Sequence, residues 1–196
     1  MLLLPLFPLP QVVILPGMMM PLRFFEPRYL QLIEKVMSHE KHDFVMSRML
    51  LRDEMDYHLS PDFEPMGCRV RVTHHRKAED GTHEVMVRAE ERGFLDEGEP
   101  GDDRLYRVVQ FQSHPFPEGD FGEWISEKRA SVVETMNRVP AIEELFDGWD
   151  RGHLSDRRLL NVLTSLIVQD PELLQQCLED DEPYQQISIV EDWLRG

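Results

Sequence analysis

Lysine, cysteine and long apolar runs are scarce in this chain, and each scarcity excludes a class of function. Only four lysines occur, Lys35, Lys41, Lys77 and Lys128, and none follows a glycine. The pattern G-x-x-x-x-G-K-[ST] is therefore absent, and with it the backbone cradle and lysine that hold the phosphates of a bound nucleotide. The two cysteines, Cys68 and Cys177, stand far apart in apolar or helical sequence. They make no disulfide framework and read as reduced, buried thiols of a cytoplasmic protein. No uninterrupted apolar run approaches the ~20 residues of a membrane-spanning helix, which argues against a membrane span. The apolar N-terminus lacks a basic leader, is broken by Pro5, Pro8 and Pro10, and offers no small-residue cleavage site, so it reads as a strand and not as a signal.

Acid is what the chain has in excess. The net charge is −16, and it is unevenly placed: residues 1–89 carry 11 basic against 12 acidic side chains, residues 90–196 carry 10 against 25. Such a field repels phosphate backbones and argues against a nucleic-acid partner. It favours basic or neutral partners, although acidic helical faces also serve solubility alone.

The hydrophobic pattern changes period once along the chain. Leu6 to Leu15 is a proline-interrupted apolar run that suits an edge or end strand, stopped by Pro16-Gly17. A second run, Leu22 to Phe25, ends at Glu26-Pro27, where proline suits the first position of a helix. That helix is expected over Pro27 to Met37, with Tyr29, Ile33, Val36 and Met37 inward. Strands are then expected at Phe44–Met46, at Cys68–Val72 with Cys68, Val70 and Val72 on one face, around Val85 and Val87 after an Asp80-Gly81 hairpin turn, and at Leu105–Phe111. The acidic, proline-punctuated stretch Asp53–Pro65, with a turn at Ser60-Pro61-Asp62, separates two of them. From residue 114 the spacing turns helical. One helix is expected over Gly122–Arg138 and three shorter ones opening at Ser155 or Asp156, at Asp170-Pro171 and at Glu182-Pro183, where an acidic cap precedes proline. The fold class is thus α+β: a bent sheet or partly closed barrel with one inserted helix in residues 1–113, then a helical bundle in 114–196.

Leu4-Pro5-Leu6-Phe7-Pro8-Leu9, Val12 to Gly17 and Pro21-Leu22-Arg23-Phe24-Phe25-Glu26-Pro27-Arg28-Tyr29 together resemble the opening of the Lon protease N-terminal domain. Gly67 to Val72, Asp80-Gly81-Thr82 and the final helices extend the likeness over nearly the whole chain. Two places depart from the family pattern: Phe44-Val45 stands where Phe-Gly is usual, and Ala89-Glu90-Glu91-Arg92-Gly93-Phe94 where Gly-x-x-Arg-Phe is usual. The resemblance implies a PUA-like sheet and one Lon N-terminal-like domain, and the role of a non-catalytic module that recognises unfolded or flexible protein segments, alone or docked on a separate protease or ATPase. A full Lon-type enzyme also needs a nucleotide-binding loop and a Ser/Lys protease domain, and the sequence has neither pattern.

Few residues carry chemistry of their own. Ser38 and Lys41 match S-x-x-K but lie in a polar stretch, where nothing desolvates the lysine to activate the serine. His39/His42 and His74-His75 lack the companion ligands of a metal site, and the loop Asp96–Asp103 lacks the regular spacing of a calcium loop, so no metal and no cofactor is expected. Met18-Met19-Met20 is the most suggestive feature. Flexible thioether side chains there, with Phe24 or Phe25, can line an apolar groove for exposed peptide, or tuck back over the core. The alternative function is a small-molecule-binding domain, which calls for a closed apolar cavity between sheet and helices.

Overall fold

The computed structural model describes residues 2–51, 61–98, 103–117, 119–136 and 142–196. Six strands, β1 (Leu2–Leu9), β2 (Met19–Phe24), β3 (Asp43–Arg48), β4 (Met66–Lys77), β5 (His83–Glu97) and β6 (Val108–Ser113), form one sheet in the order β2-β5-β4-β3-β1-β6. Helix α1 (Pro27–Met37) is inserted after β2. The helices α2 (Gly122–Thr135), α3 (Ile142–Asp150), α4 (Asp156–Ile167), α5 (Pro171–Glu179) and α6 (Tyr184–Arg195) follow the last strand.

The 15-residue strand β5 organises the sheet. It pairs with β4 along His83–Phe94, with β2 along His83–Arg88 and with β6 along Gly93–Glu97. Because β6 returns to β1, β1 to β3 and β3 to β4, the pairings make the sheet partly ring-like without a clear barrel. Gly67 and Gly93 face each other in the β4–β5 register where this bend occurs. A Cβ on Gly93 would collide with the Gln112 carbonyl and the Phe111 ring, and one on Gly67 would stand 2.5 Å from the Met46 carbonyl oxygen.

Strand β1 departs from the expected edge strand. It contains Pro5 and Pro8, starts at Leu2 and lies between β6 and β3. It tolerates the prolines because its two halves are staggered: Leu2–Pro5 pair with β6 and Leu6–Leu9 pair in parallel with β3. Each proline therefore has an unladdered side toward which its missing N–H can point. Val13, Ile14 and Leu15, expected to continue that strand, form a buried loop. The hairpin turn is as expected, with Gly81 at φ +83° and the Asp80 carboxylate accepting from the Thr82 backbone N–H at 3.0 Å.

One core lies between the sheet and α1, where Phe7 meets Phe24 and Tyr29 with ring centroids 4.7 and 4.6 Å apart. A second fills the helical part around Ile125, Phe146, Leu159 and Leu163. A third joins the two, setting Val13, Leu15 and Met66 against Leu174, Cys177 and Leu178. At about 1.5–3 kcal/mol for each large side chain buried, this junction is a substantial interface.

Among the described residues four helices follow α2, one more than expected, because Ile142, Leu145, Phe146 and Trp149 make a short amphipathic α3. The Ser155 and Asp170 caps form as expected, through bonds from Arg158 N–H and Glu172 N–H. Glu182 does not cap α6; Pro183 takes the cap position with helical angles and no side-chain bond. The expected strand at Leu105 begins instead at Val108, and Leu105 is exposed. The expected turn at Ser60 and residues 99–102 of the acidic loop lie outside the described residues, as does the end of the helix expected to reach Arg138.

Candidate functional site

The five residues singled out for peptide contact divide between the core and the surface. Alternation along β2 turns Met20, Leu22 and Phe24 toward the sheet core and Met19, Pro21 and Arg23 outward. Phe24 is 1% exposed, its ring tilted against Phe7 and edge-on to Phe44. Met18 and Met20 pack partly buried against the same core. Only Met19 and Phe25 reach solvent, and six residues of extended chain put them roughly 20 Å apart.

Strand β2 offers one open side, opposite β5. The Ala89 N–H donates to the Met18 carbonyl, and antiparallel alternation then turns the backbone groups of Met20, Leu22 and Phe24 toward β5. Those of Met19, Pro21 and Arg23 face out. Pro21 thus withholds a donor from the middle of the free edge, which blunts it against strand addition.

The more elaborate geometry lies where the sheet meets the helices, along the segment from His114 to Phe121 that links β6 to α2. Phe116 is held between two guanidinium groups, those of Arg92 from β5 and Arg157 from α4, each 3.8 Å from its ring centre. Arg92 is fully buried. It donates to the carbonyls of His114 (2.9 Å) and Leu178 (2.7 Å) and pairs with the Asp181 carboxylate. Arg157, 7% exposed, donates at 3.2 Å to the carbonyls of Asp180 and Asp181. The end of α5 and the residues just after it therefore present carbonyl oxygens to two buried cations, the favourable orientation of a helix dipole. The aromatic ring between them adds a cation–π contact on both faces and keeps like charges apart. Burial, reinforced by the Arg92 charge, lowers the Arg157 pKa to about 10. Burial also lowers that of Arg92, and the hydrogen bond from Arg92 holds the Asp181 carboxyl below its usual range.

Two open grooves flank this connecting segment and share Pro117, Gly119, Asp120 and Arg157. The sheet-side groove, about 570 Å³, runs between the segment, Glu90–Arg92 of β5 and the start of α4. The helix-side groove, about 590 Å³, lies against the starts of α2 and α6, with Phe121, Trp124 and Tyr184 on its walls. Asp156 fixes the segment's end, accepting from the Phe121 N–H at 3.0 Å and from the Trp149 indole at 2.7 Å. These are open clefts, not the closed cavity that a small-molecule reading calls for. Neither was visible in the sequence, because Arg92, Phe116 and Arg157 are widely separated and buried arginine has no periodic signature.

The other candidates remain apart. Ser38 bonds the Lys35 carbonyl at the end of α1, as a capping residue does. His74 and His75 are both exposed, and His75 stands 2.8 Å from His83, a buried ring the sequence did not single out. Among the described residues no group of three potential metal ligands occurs. Burial raises the thiol pKa of Cys177 to about 11 and that of Cys68 higher, so neither is a ready nucleophile. No helix among the described residues is long and apolar enough to cross a membrane.

A family model, the substrate-binding domain of ATP-dependent protease La (LON), matches residues 3–196. The fold is similar to the N-terminal domain of Mycobacterium avium complex Lon protease, with a TM-score of 0.69 at 17% identity over 98% of both chains. It is also similar to a Lon N-terminal domain protein from Xanthomonas campestris, with a TM-score of 0.66 at 20% identity over 98% of this chain and 99% of that one. No curated protein matches by sequence.

Proposed function

The chain belongs to the LON substrate-binding domain family, and from that premise we propose that it is a non-catalytic module that captures exposed apolar segments of unfolded proteins. The observation that carries this reading is the pair of open grooves along residues 114–121, whose proline and aromatic lining suits an extended chain. Met19 and Phe25, the two singled-out residues that reach solvent, add apolar contacts elsewhere on the surface. Capture by such a module delivers a client to a separate protease or ATPase, in the cytoplasmic setting that suits two buried, reduced thiols.

The test is binding of the purified chain to a permanently unfolded model protein and to its folded form, without nucleotide, at two salt concentrations. Selective capture of the unfolded form is expected, with apolar contacts persisting at high salt. Equal binding to both forms, or none to either, overturns the reading.

A further inference from the structure

The two grooves differ in how their charges are satisfied. In the sheet-side groove, apart from the shared Asp120, the carboxylates are satisfied: Glu90 pairs with Arg88 at 2.8 Å and Glu91 with Arg69 at 2.9 Å, while Asp156 accepts from a backbone amide and an indole. In the helix-side groove, Asp120, Glu123, Glu127 and Glu182 line the cleft, and none of their carboxylates accepts a hydrogen bond or forms an ion pair among the described residues; Glu182 bonds through its backbone N–H, to Asp180. The remaining carboxylate, Asp181, is already occupied by Arg92 and His114. The nearby cations are engaged too: Lys128 and Arg195 with Glu191, and Arg157 with carbonyls of residues 180 and 181. Helix dipoles account for Glu123 in the first turn of α2 and for Glu182 just before α6. They do not account for Glu127, beyond that turn, or for four unpaired charges around one aromatic-walled cleft.

We propose that this helix-side groove is a docking site for a lysine- or arginine-bearing extended segment of a partner protein. The proposal rests on the recognition role above and specifies the chemistry of the segment taken. An ammonium or guanidinium between the Glu123 and Glu127 carboxylates relieves their mutual repulsion and gains charge-assisted hydrogen bonds. Its aliphatic stem lies along Trp124 and Tyr184, whose ring faces attract the cation. Trp124 is pre-positioned, its indole N–H donating to Glu191 at 3.1 Å, and Tyr184 is 72% exposed. At the groove's shared wall, the Nε–H of the buried Arg157 has no acceptor among the described residues.

The experiment uses the full chain and a fluorescent unstructured peptide of alternating leucine and lysine, its lysine-to-glutamine counterpart, and the unfolded model protein. The lysine peptide is expected to bind at least about 10-fold more tightly than the glutamine peptide at low salt. The exposed double substitution E123Q/E127Q, which removes no hydrogen bond or ion pair among the described residues, should remove most of that preference. Equal affinity for the two peptides, or a preference untouched by E123Q/E127Q, overturns the proposal, even where the unfolded protein is still captured. A lysine preference lost in E123Q/E127Q upholds the site, even where the unfolded protein is not captured and the broader recognition reading falls.

Discussion

A single buried histidine shows how a side chain of ordinary appearance acquires a consequence from its neighbours. His83 opens β5 opposite Phe24, and its Nδ1 stands 2.8 Å from His75 Nε2, so one ring donates and the other accepts. Its own Nε2 is buried without a hydrogen-bond partner, with a Glu34 oxygen 3.8 Å away. Burial, then the nearby His75 and Lys77 charges, holds the His83 pKa below the ordinary value. In the unfolded chain that ring protonates near pH 6.5, whereas in the folded protein it stays neutral to lower pH. The unfolded state therefore binds the extra proton first, and stability is lost as pH falls below about 6.5 until the folded-state ring also protonates. Melting His83→Gln beside the parent at pH 7.5 and pH 5.5 should show the parent losing more melting temperature between the two than the variant does. Parallel losses would mean that His83 does not titrate differently on folding. Such residues are hard to read from sequence. Cys68, Val70 and Val72 announced their buried face by alternation, but His83 and Arg92 occupy inward positions where polar side chains are rare, and only the fold shows what they touch.

At the scale of elements, legibility followed the strength of local signals. Helix α1 begins at Pro27 and ends at Met37 where proline and the change of pattern placed it, and its inward face is as expected apart from Leu32, which replaces Met37 as a fully buried residue. Helix α3 went unrecognised although Ile142, Leu145, Phe146 and Trp149 have helical spacing, because it is nine residues long and Gly148 interrupts it. The strand character of β1 was legible but its place inside the sheet was not, since the staggered pairing that accommodates its prolines is made by β6 and β3, remote in sequence. The same holds for the glycines of the β4–β5 bend, whose need becomes apparent only when β6 closes over Gly93. Gly93→Ala should destabilise by about 1–3 kcal/mol, the usual range for overpacking, and lower the melting temperature accordingly. Gly148→Ala, where an added methyl meets nothing within 4 Å, is the control and should be neutral or stabilising by up to about 1 kcal/mol. Equal melting temperatures for the two variants would show that the bend is not tightly packed.

For the whole molecule, the question is whether the strand-rich and helical parts stand or fall together. The sequence suggested a division at residue 114, where the hydrophobic period changes. Contacts across that point argue for mutual dependence. Val13 and Leu15 pack against the chain around α5; Gln175 donates to the Met66 carbonyl and Asn161 to the Pro16 carbonyl, both at 3.1 Å. Arg92, rooted in the sheet, meets its acceptors just beyond the division and at the end of α5. Separating the parts would expose the shared apolar core and leave a buried guanidinium without its partners, both costly. All three tryptophans, Trp124, Trp149 and Trp193, lie in helices, so their fluorescence reports the helical part, while near-ultraviolet dichroism of the Phe7, Tyr29 and Phe44 cluster weights the sheet. In urea the two signals should move through one transition with a common midpoint. Arg92→Met should lower that midpoint for both signals together, by about 2–4 kcal/mol of stability, because removing one member of a buried charged network strands the rest. If the tryptophan signal shifted alone, Arg92 would be serving only the helices, and the grooves beside residues 114–117 and 119–121 would lie between two bodies free to move apart, a different kind of binding site from a rigid one.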